Sequence, residues 1–338
     1  MSKKPPFSRG TPIVLLRKNL ASFWKTLSRD KVRLLSFVVG FLVFLFFPSF
    51  SYYGFLHLEP QPPLVRATGF DNFRPSLYPK RIFDVTPPYV TAESVVVLDL
   101  ESGVPLYEIN PTERLYPASL TKLMTALVAV DYYQPTQVLT VHRLAPVEAE
   151  ADMGLEVGDQ VNFRGLLYGL LVPSGADAAY TIADNYPGGI ENFVYAMNKK
   201  AEALNMKGTH FANPSGFDDP KNYTTAHDLA LLTAVALKND LINKVVATYG
   251  TTLADATGKK TYYLKTVNKF LGYLYGADGV KTGFTDWAGE CLVSSVSRNG
   301  HRIVTVVLKS QDRFADSARL IEWAYQNYKW VNVTESGI

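Results

Sequence analysis

The sequence predicts an α+β (mixed α/β) chain in which the first and last segments of the globular part share one sheet. Three observations carry this. Two short apolar runs separated by a turn signal open the globular part near residue 94. A mainly helical stretch follows over residues 142–236. Two further apolar runs then flank Asn299-Gly300, a strong hairpin signal, and an amphipathic helix follows them.

In chain order, residues 1–33 form a basic tail. They carry nine Lys/Arg against Asp30 alone, which makes that segment +8 and the other 305 residues −5. Leu34 to Phe47 is uncharged and mostly apolar. Counting on to Leu56 gives 23 uncharged residues, enough to cross a ~30 Å hydrocarbon layer as a helix. Residues 34–56 are therefore expected to be a single-pass signal-anchor, with the basic flank in the cytoplasm and everything after it outside. A cleaved signal peptide is the alternative, with Ser49-Phe50-Ser51 as a small-x-small site. Residues 57–90 are rich in proline and read as a spacer. Residues 91–330 are the expected globular domain.

Within that domain, Ser94 to Leu100 and Val104 to Ile109 are expected strands around the turn signal Glu101-Ser102-Gly103. A helix is expected from Pro117-Ala118-Ser119. Further helices are expected over Arg164–Leu171, Ala176–Asn185, Ile190–Leu204 and Ala226–Leu237. Asp278 to Thr285 sits where a strand should run. Glu290–Arg298 and His301–Leu308 make the hairpin. The helix Phe314–Tyr328 buries Leu320, Ile321, Trp323 and Ala324.

Composition removes several classes of function. The basic balance belongs to the tail and does not argue for nucleic-acid binding. The single cysteine, Cys291, permits no intrachain disulfide and reads as a small core hydrophobe. The five histidines are scattered without zinc-ligand spacing, so neither a metal nor another cofactor is expected.

The candidate chemistry starts at Ser119-Leu120-Thr121-Lys122. On a helix, residues three apart face the same way, so the hydroxyl and the amine would meet. The lysine serves as a base only if burial or a nearby cation lowers its pKa. The four letters alone do not decide this, because Ser22-x-x-Lys25 and Ser28-x-x-Lys31 match too. A capping serine with a solvated lysine is the plain alternative. Two further elements bear on it. Ser174-Gly175 lies between two expected helices, and Lys281-Thr282-Gly283 lies on an expected strand. A strand ending in Lys-Thr-Gly presents a cation and a hydroxyl on one edge, and suits a peptide that ends in a carboxylate and lies along it.

In this order the three elements resemble the penicillin-binding and serine β-lactamase superfamily. The longer blocks Tyr116-PASLTKLMTALVA, Leu167-YGLLVPSGADAA, Phe211-ANPSGF, Tyr223-TTAHDLALL and Gly279-VKTGFTDWAGECLVSS are similar to the low-molecular-weight D-alanyl-D-alanine carboxypeptidases. The resemblance covers residues 90–328. It implies the serine β-lactamase/DD-peptidase fold, an antiparallel sheet flanked by helices with a helical subdomain. It implies an acyl-enzyme on Ser119, with Lys122 as base, Lys281 helping to keep Lys122 neutral, and Ser174 relaying a proton to the departing D-alanine. Lys281 and Thr282 would hold the substrate carboxylate beside Gly283. The N–H groups of Ser119 and Phe284 would form an oxyanion hole. Arg313 corresponds to an arginine near the site in relatives; a surface charge is the alternative. The implied partners are stem peptides ending in D-Ala-D-Ala and β-lactam antibiotics.

One position departs from the pattern. The middle motif ends in Asn in the family, and here it is Ala176. Losing its hydrogen bond to a charged group costs about 1.5–3 kcal/mol, a slowing of roughly ten- to a hundredfold. A weakened homologue that binds muropeptides is thus one alternative, and a DD-endopeptidase with the same residues is another. A class A β-lactamase would need Glu-x-x-Leu-Asn; the nearest string, Glu202-Ala203-Leu204-Asn205, is one residue short.

Overall fold

The computed structural model describes residues 77–146 and 151–332. The expected tail and membrane span lie outside those residues, as does most of the spacer. Among the described residues no helix is long and apolar enough to cross a membrane.

The central sheet has five antiparallel strands. Their order is β3 (Pro105–Ile109), β2 (Ser94–Asp99), β10 (His301–Ser310), β9 (Gly289–Arg298) and β8 (Ala277–Thr285). First and last segments therefore do share a sheet, with β10 at its centre. Asn299 and Gly300 turn β9 into β10 with φ of 52° and 81°, the paired left-handed geometry of a two-residue hairpin. Period-two alternation sorts the side chains onto two faces. Val96, Leu98, Val293, Val304 and Val306 join the larger core, while Val95, Val97, Ile303 and Val307 join a second core behind the sheet.

The larger core is covered by helices. Lys122–Tyr132 is α1, and its residues from Lys122 to Ala129 are all buried. Such a helix, apolar nearly all round, belongs inside a protein rather than on its surface. Around it pack α2 (Phe163–Leu171), α3 (Ala176–Asp184), α4 (Gly189–Ala203) and α5 (Ala226–Ala236), while α6 (Asp240–Val246) packs against α2 and β8. On the other face lies α7 (Arg313–Asn327), which buries Leu320, Ile321, Trp323 and Ala324.

Several details differ from the sequence reading. Ala118–Thr121 is a 3₁₀ turn ahead of α1, and no side chain caps either segment. The sequence missed α6 and the hairpin of β6 (Gly250–Ala254) with β7 (Thr261–Lys265). It also missed the short pair β4 (Val138–Thr140) and β5 (Gln160–Asn162). Within the proline-rich stretch, Tyr78–Arg81 forms β1 and pairs with β11 (Tyr328–Val331). Pro79 tolerates this because the pair is an isolated two-stranded ribbon with edges on both sides. Helix α4 ends at Ala203, so Leu204 and Asn205 stand outside it.

Candidate active site

Ser119 sits in the 3₁₀ turn, and Lys122 opens α1 one turn later. Lys122 Nζ is 2.9 Å from Ser119 Oγ and donates to the Ser215 carbonyl at 3.0 Å. The lysine is 2% exposed, so the solvated-lysine reading does not hold. Nor does Ser119 act as a cap. The backbone here is set by close contacts. Gly216 has φ of 90°, and a Cβ there would fall 1.8 Å from the Ala118 carbonyl oxygen. Asn213 holds the Ser215–Phe217 turn by accepting from the N–H groups of Ser215, Gly216 and Phe217.

The second side of the site is the edge strand β8. Among the described residues it pairs only with β9, so its other edge faces the cleft. Gly283 lies against the 3₁₀ turn; a Cβ there would meet the Pro117 carbonyl at 3.1 Å. Lys281, 1% exposed, donates to Ser174 Oγ at 2.7 Å and to the Thr282 carbonyl at 2.9 Å. Ser174 links α2 to α3 with φ of 72°, a left-handed conformation that is uncommon for a residue with a Cβ and concentrates at functional sites. Arg313, the first residue of α7, donates through Nη1 to the Gly283 carbonyl at 2.7 Å, while its backbone N–H donates to Glu290.

A cleft of about 590 Å³ is lined by Ser119, Lys122, Ser174, Thr282, Gly283, Phe284 and Arg313. Lys281 stands behind them through its bond to Ser174. All eight candidate residues thus meet in one place. Ala176 lines the same cleft, with a methyl group where the family pattern has an amide.

Electrostatics favour a neutral Lys122. Burial lowers its pKa to about 7, while the carboxylates of Asp152 and Asp177 pull it back up. Burial is the lowering cause here, where the sequence reading invoked a second lysine. Lys281 is pushed well below its ordinary value by burial, then by the charges of Lys122 and Arg313. Cys291 is fully buried, and burial pushes its thiol up to about 11, so it packs and does not react. Among the described residues no group of His, Cys, Asp and Glu side chains could hold a metal ion.

Two carboxylates support the site: Asp177, which reads from the sequence as structural, and Asp152, which sequence reasoning missed. Asp177 is buried and accepts from the N–H groups of Met153, Gly154 and Leu155, fastening that segment to the start of α3. Asp152 returns the contact, its Oδ1 accepting from Asp177 N at 3.2 Å. The Asn213-Pro214-Ser215-Gly216 run is a turn signal that could have drawn attention to Ser215; nothing in the sequence pointed to Asp152.

A serine hydroxyl touching a buried amine of lowered pKa, beside a second hydroxyl, a second lysine and an arginine, is equipped for acyl transfer to a carboxylate-bearing substrate. A family model described as D-alanyl-D-alanine carboxypeptidase matches residues 82–312, and the chain belongs to this family. It is 34% identical over 246 residues to the D-alanyl-D-alanine carboxypeptidase DacF of Bacillus subtilis, an alignment covering 70% of this chain but only 63% of that relative. It is 35% identical over 238 residues to a D-alanyl-D-alanine endopeptidase of Pseudomonas aeruginosa, covering 68% of this chain and 76% of that one. Among solved structures, the Streptomyces K15 DD-transpeptidase superposes with a TM-score of 0.66 at 30% identity, over 72% of this chain and 100% of the other. The fold is the serine DD-peptidase fold, as the resemblance implied.

Proposed function

We propose that the protein is a serine-type D-Ala-D-Ala carboxypeptidase that removes the terminal D-alanine of peptidoglycan stem peptides. The observation that carries this is the 2.9 Å contact between Ser119 Oγ and the buried Lys122 Nζ. Ser119 Oγ attacks the carbonyl of the penultimate D-alanine, and its proton passes to Lys122. The new C–O bond gives a tetrahedral oxyanion held by the N–H groups of Ser119 and Phe284. The C–N bond then breaks, and Ser174 relays the proton from Lys122 to the departing amine. Lys281, Thr282 and Arg313 hold the substrate carboxylate alongside Gly283. Water cleaves the acyl-enzyme by the reverse proton path. β-Lactams acylate the same serine.

The Pseudomonas relative supports a second reading, hydrolysis of crosslinks by a DD-endopeptidase with the same residues. A third, a weakened binder of muropeptides, rests on Ala176. The proposed organisation is a basic tail over residues 1–33, a membrane anchor over 34–56, a spacer to about residue 90 and an extracytoplasmic catalytic domain. The charge asymmetry and the 23 uncharged residues support it.

The test is mass spectrometry of the protein incubated with a D-Ala-D-Ala peptide and, separately, with penicillin. Release of D-alanine and a penicillin adduct, both abolished by Ser119→Ala, are expected. An adduct that persists in Ser119→Ala would remove the proposed nucleophile. Cleavage of crosslinked dimers without release of terminal D-alanine would favour the endopeptidase.

A further inference from the structure

A groove of about 590 Å³ adjoins the cleft, and Val267 lines both. Its walls are Tyr249, which directly precedes β6, and Tyr273 on the loop leading to β8. These rings are 56% and 87% exposed. Lys265 and Lys269 also line it, and the Lys265 ammonium stands 5.9 Å from the centroid of the Tyr249 ring. The lining includes Asn268, which is 4% exposed. Its Oδ1 accepts from Phe270 N at 3.1 Å, while its Nδ2 has no acceptor among the described residues. A buried donor left without a partner is rare enough to need a reason.

We propose that this groove is a subsite for an amino-sugar oligosaccharide, the glycan to which a stem-peptide substrate is joined. The inference rests on the proposed function and extends it from the peptide end to the polymer. Exposed tyrosine rings present negative π-faces to the polarised C–H face of a sugar ring. Where a side-chain shift opens the wall, a hydroxyl or acetamido oxygen gives Asn268 Nδ2 its missing acceptor, and the lysines meet acidic substituents. Few convergent polar groups between aromatic walls are the usual make-up of a small-ligand site. A bilayer surface also attracts tyrosine and lysine, but a flat layer does not reach a donor buried in the wall of a groove. Continuity through Val267 lets one polymer occupy both places.

The test uses the full chain and a tetramer of N-acetylglucosamine, with binding followed by calorimetry. Binding to the unaltered protein is expected, weakened about tenfold by Tyr249→Ala together with Tyr273→Ala. Both rings are exposed, so the pair should leave the fold intact. In turnover, the double variant should raise KM about tenfold on glycan-linked substrate and leave a short acyl-D-Ala-D-Ala peptide unaffected. No tetramer binding, equal binding by the variant, or equal loss on both substrates overturns the subsite. So does tyrosine-dependent binding of phosphatidylglycerol vesicles in place of the sugar. Calorimetry requires no turnover, so an inactive protein would refute the peptidase reading and leave the sugar result readable.

Discussion

Lys122 Nζ has two oxygens in reach, the Ser119 hydroxyl and the Ser215 carbonyl. A neutral amine that offers its lone pair to Ser119 and one N–H to Ser215 has one N–H left over. The deficit from Ala176 is therefore one neutral hydrogen bond, about 0.5–1.5 kcal/mol, less than the sequence alone suggests. Ala176→Asn should raise the penicillin acylation rate about two- to tenfold, measured by stopped flow; no gain would mean that the vacant donor is not limiting. Acylation needs the unprotonated lysine, so its rate should climb as pH rises through about 7. Among the described residues, Asp152 and Asp177 are the charged groups that bear on Lys122. Because Asp152 favours the protonated form, Asp152→Asn should move the rising limb to lower pH. A limb that stays in place, or moves up, would rule out that coupling.

Two elements meet at the start of α3, and Asp177 fastens them. Asp177→Ala leaves three backbone N–H groups without their acceptor. It should cost about 3 kcal/mol in urea unfolding and open Met153–Leu155 to proteolysis. An unchanged midpoint would assign those groups to solvent. At the 3₁₀ turn, Gly216→Ala should abolish acylation, because its Cβ cannot share space with the Ala118 carbonyl. Much of this architecture was legible, since Asn299-Gly300, the alternating strands and the α7 pattern encode their structure locally. The motif residues were legible because their order and flanking blocks are distinctive. What stayed hidden depends on contacts between distant segments. Examples are β1 pairing with β11 despite Pro79, the 3₁₀ geometry at Ser119, and the carboxylate of Asp152, whose meaning comes only from lying beside α3.

On the scale of the whole molecule, folding buries two lysines whose pKa values are lowered and several tyrosines whose pKa values are raised. Between pH 7 and about 10.4 the unfolded chain holds more lysine protons than the folded one, so stability rises with pH. Above about 10 the unfolded tyrosines ionise first while Tyr133, Tyr180, Tyr262 and Tyr325 keep their protons, so stability falls again. Urea midpoints should therefore peak near about pH 10, and Lys122→Met should flatten the rise. A steady decline from pH 7 to 9 would contradict this. The position of β10 also has a consequence in time. Ser94 on β2 pairs with Leu308 on β10, so the middle of the sheet closes only after the whole stretch between them has been synthesised. At about 5–20 residues per second, β2 waits on the order of 10–40 s for its central neighbour. Until then a nascent chain offers an unfinished sheet edge, a substrate for holding factors rather than a folded domain.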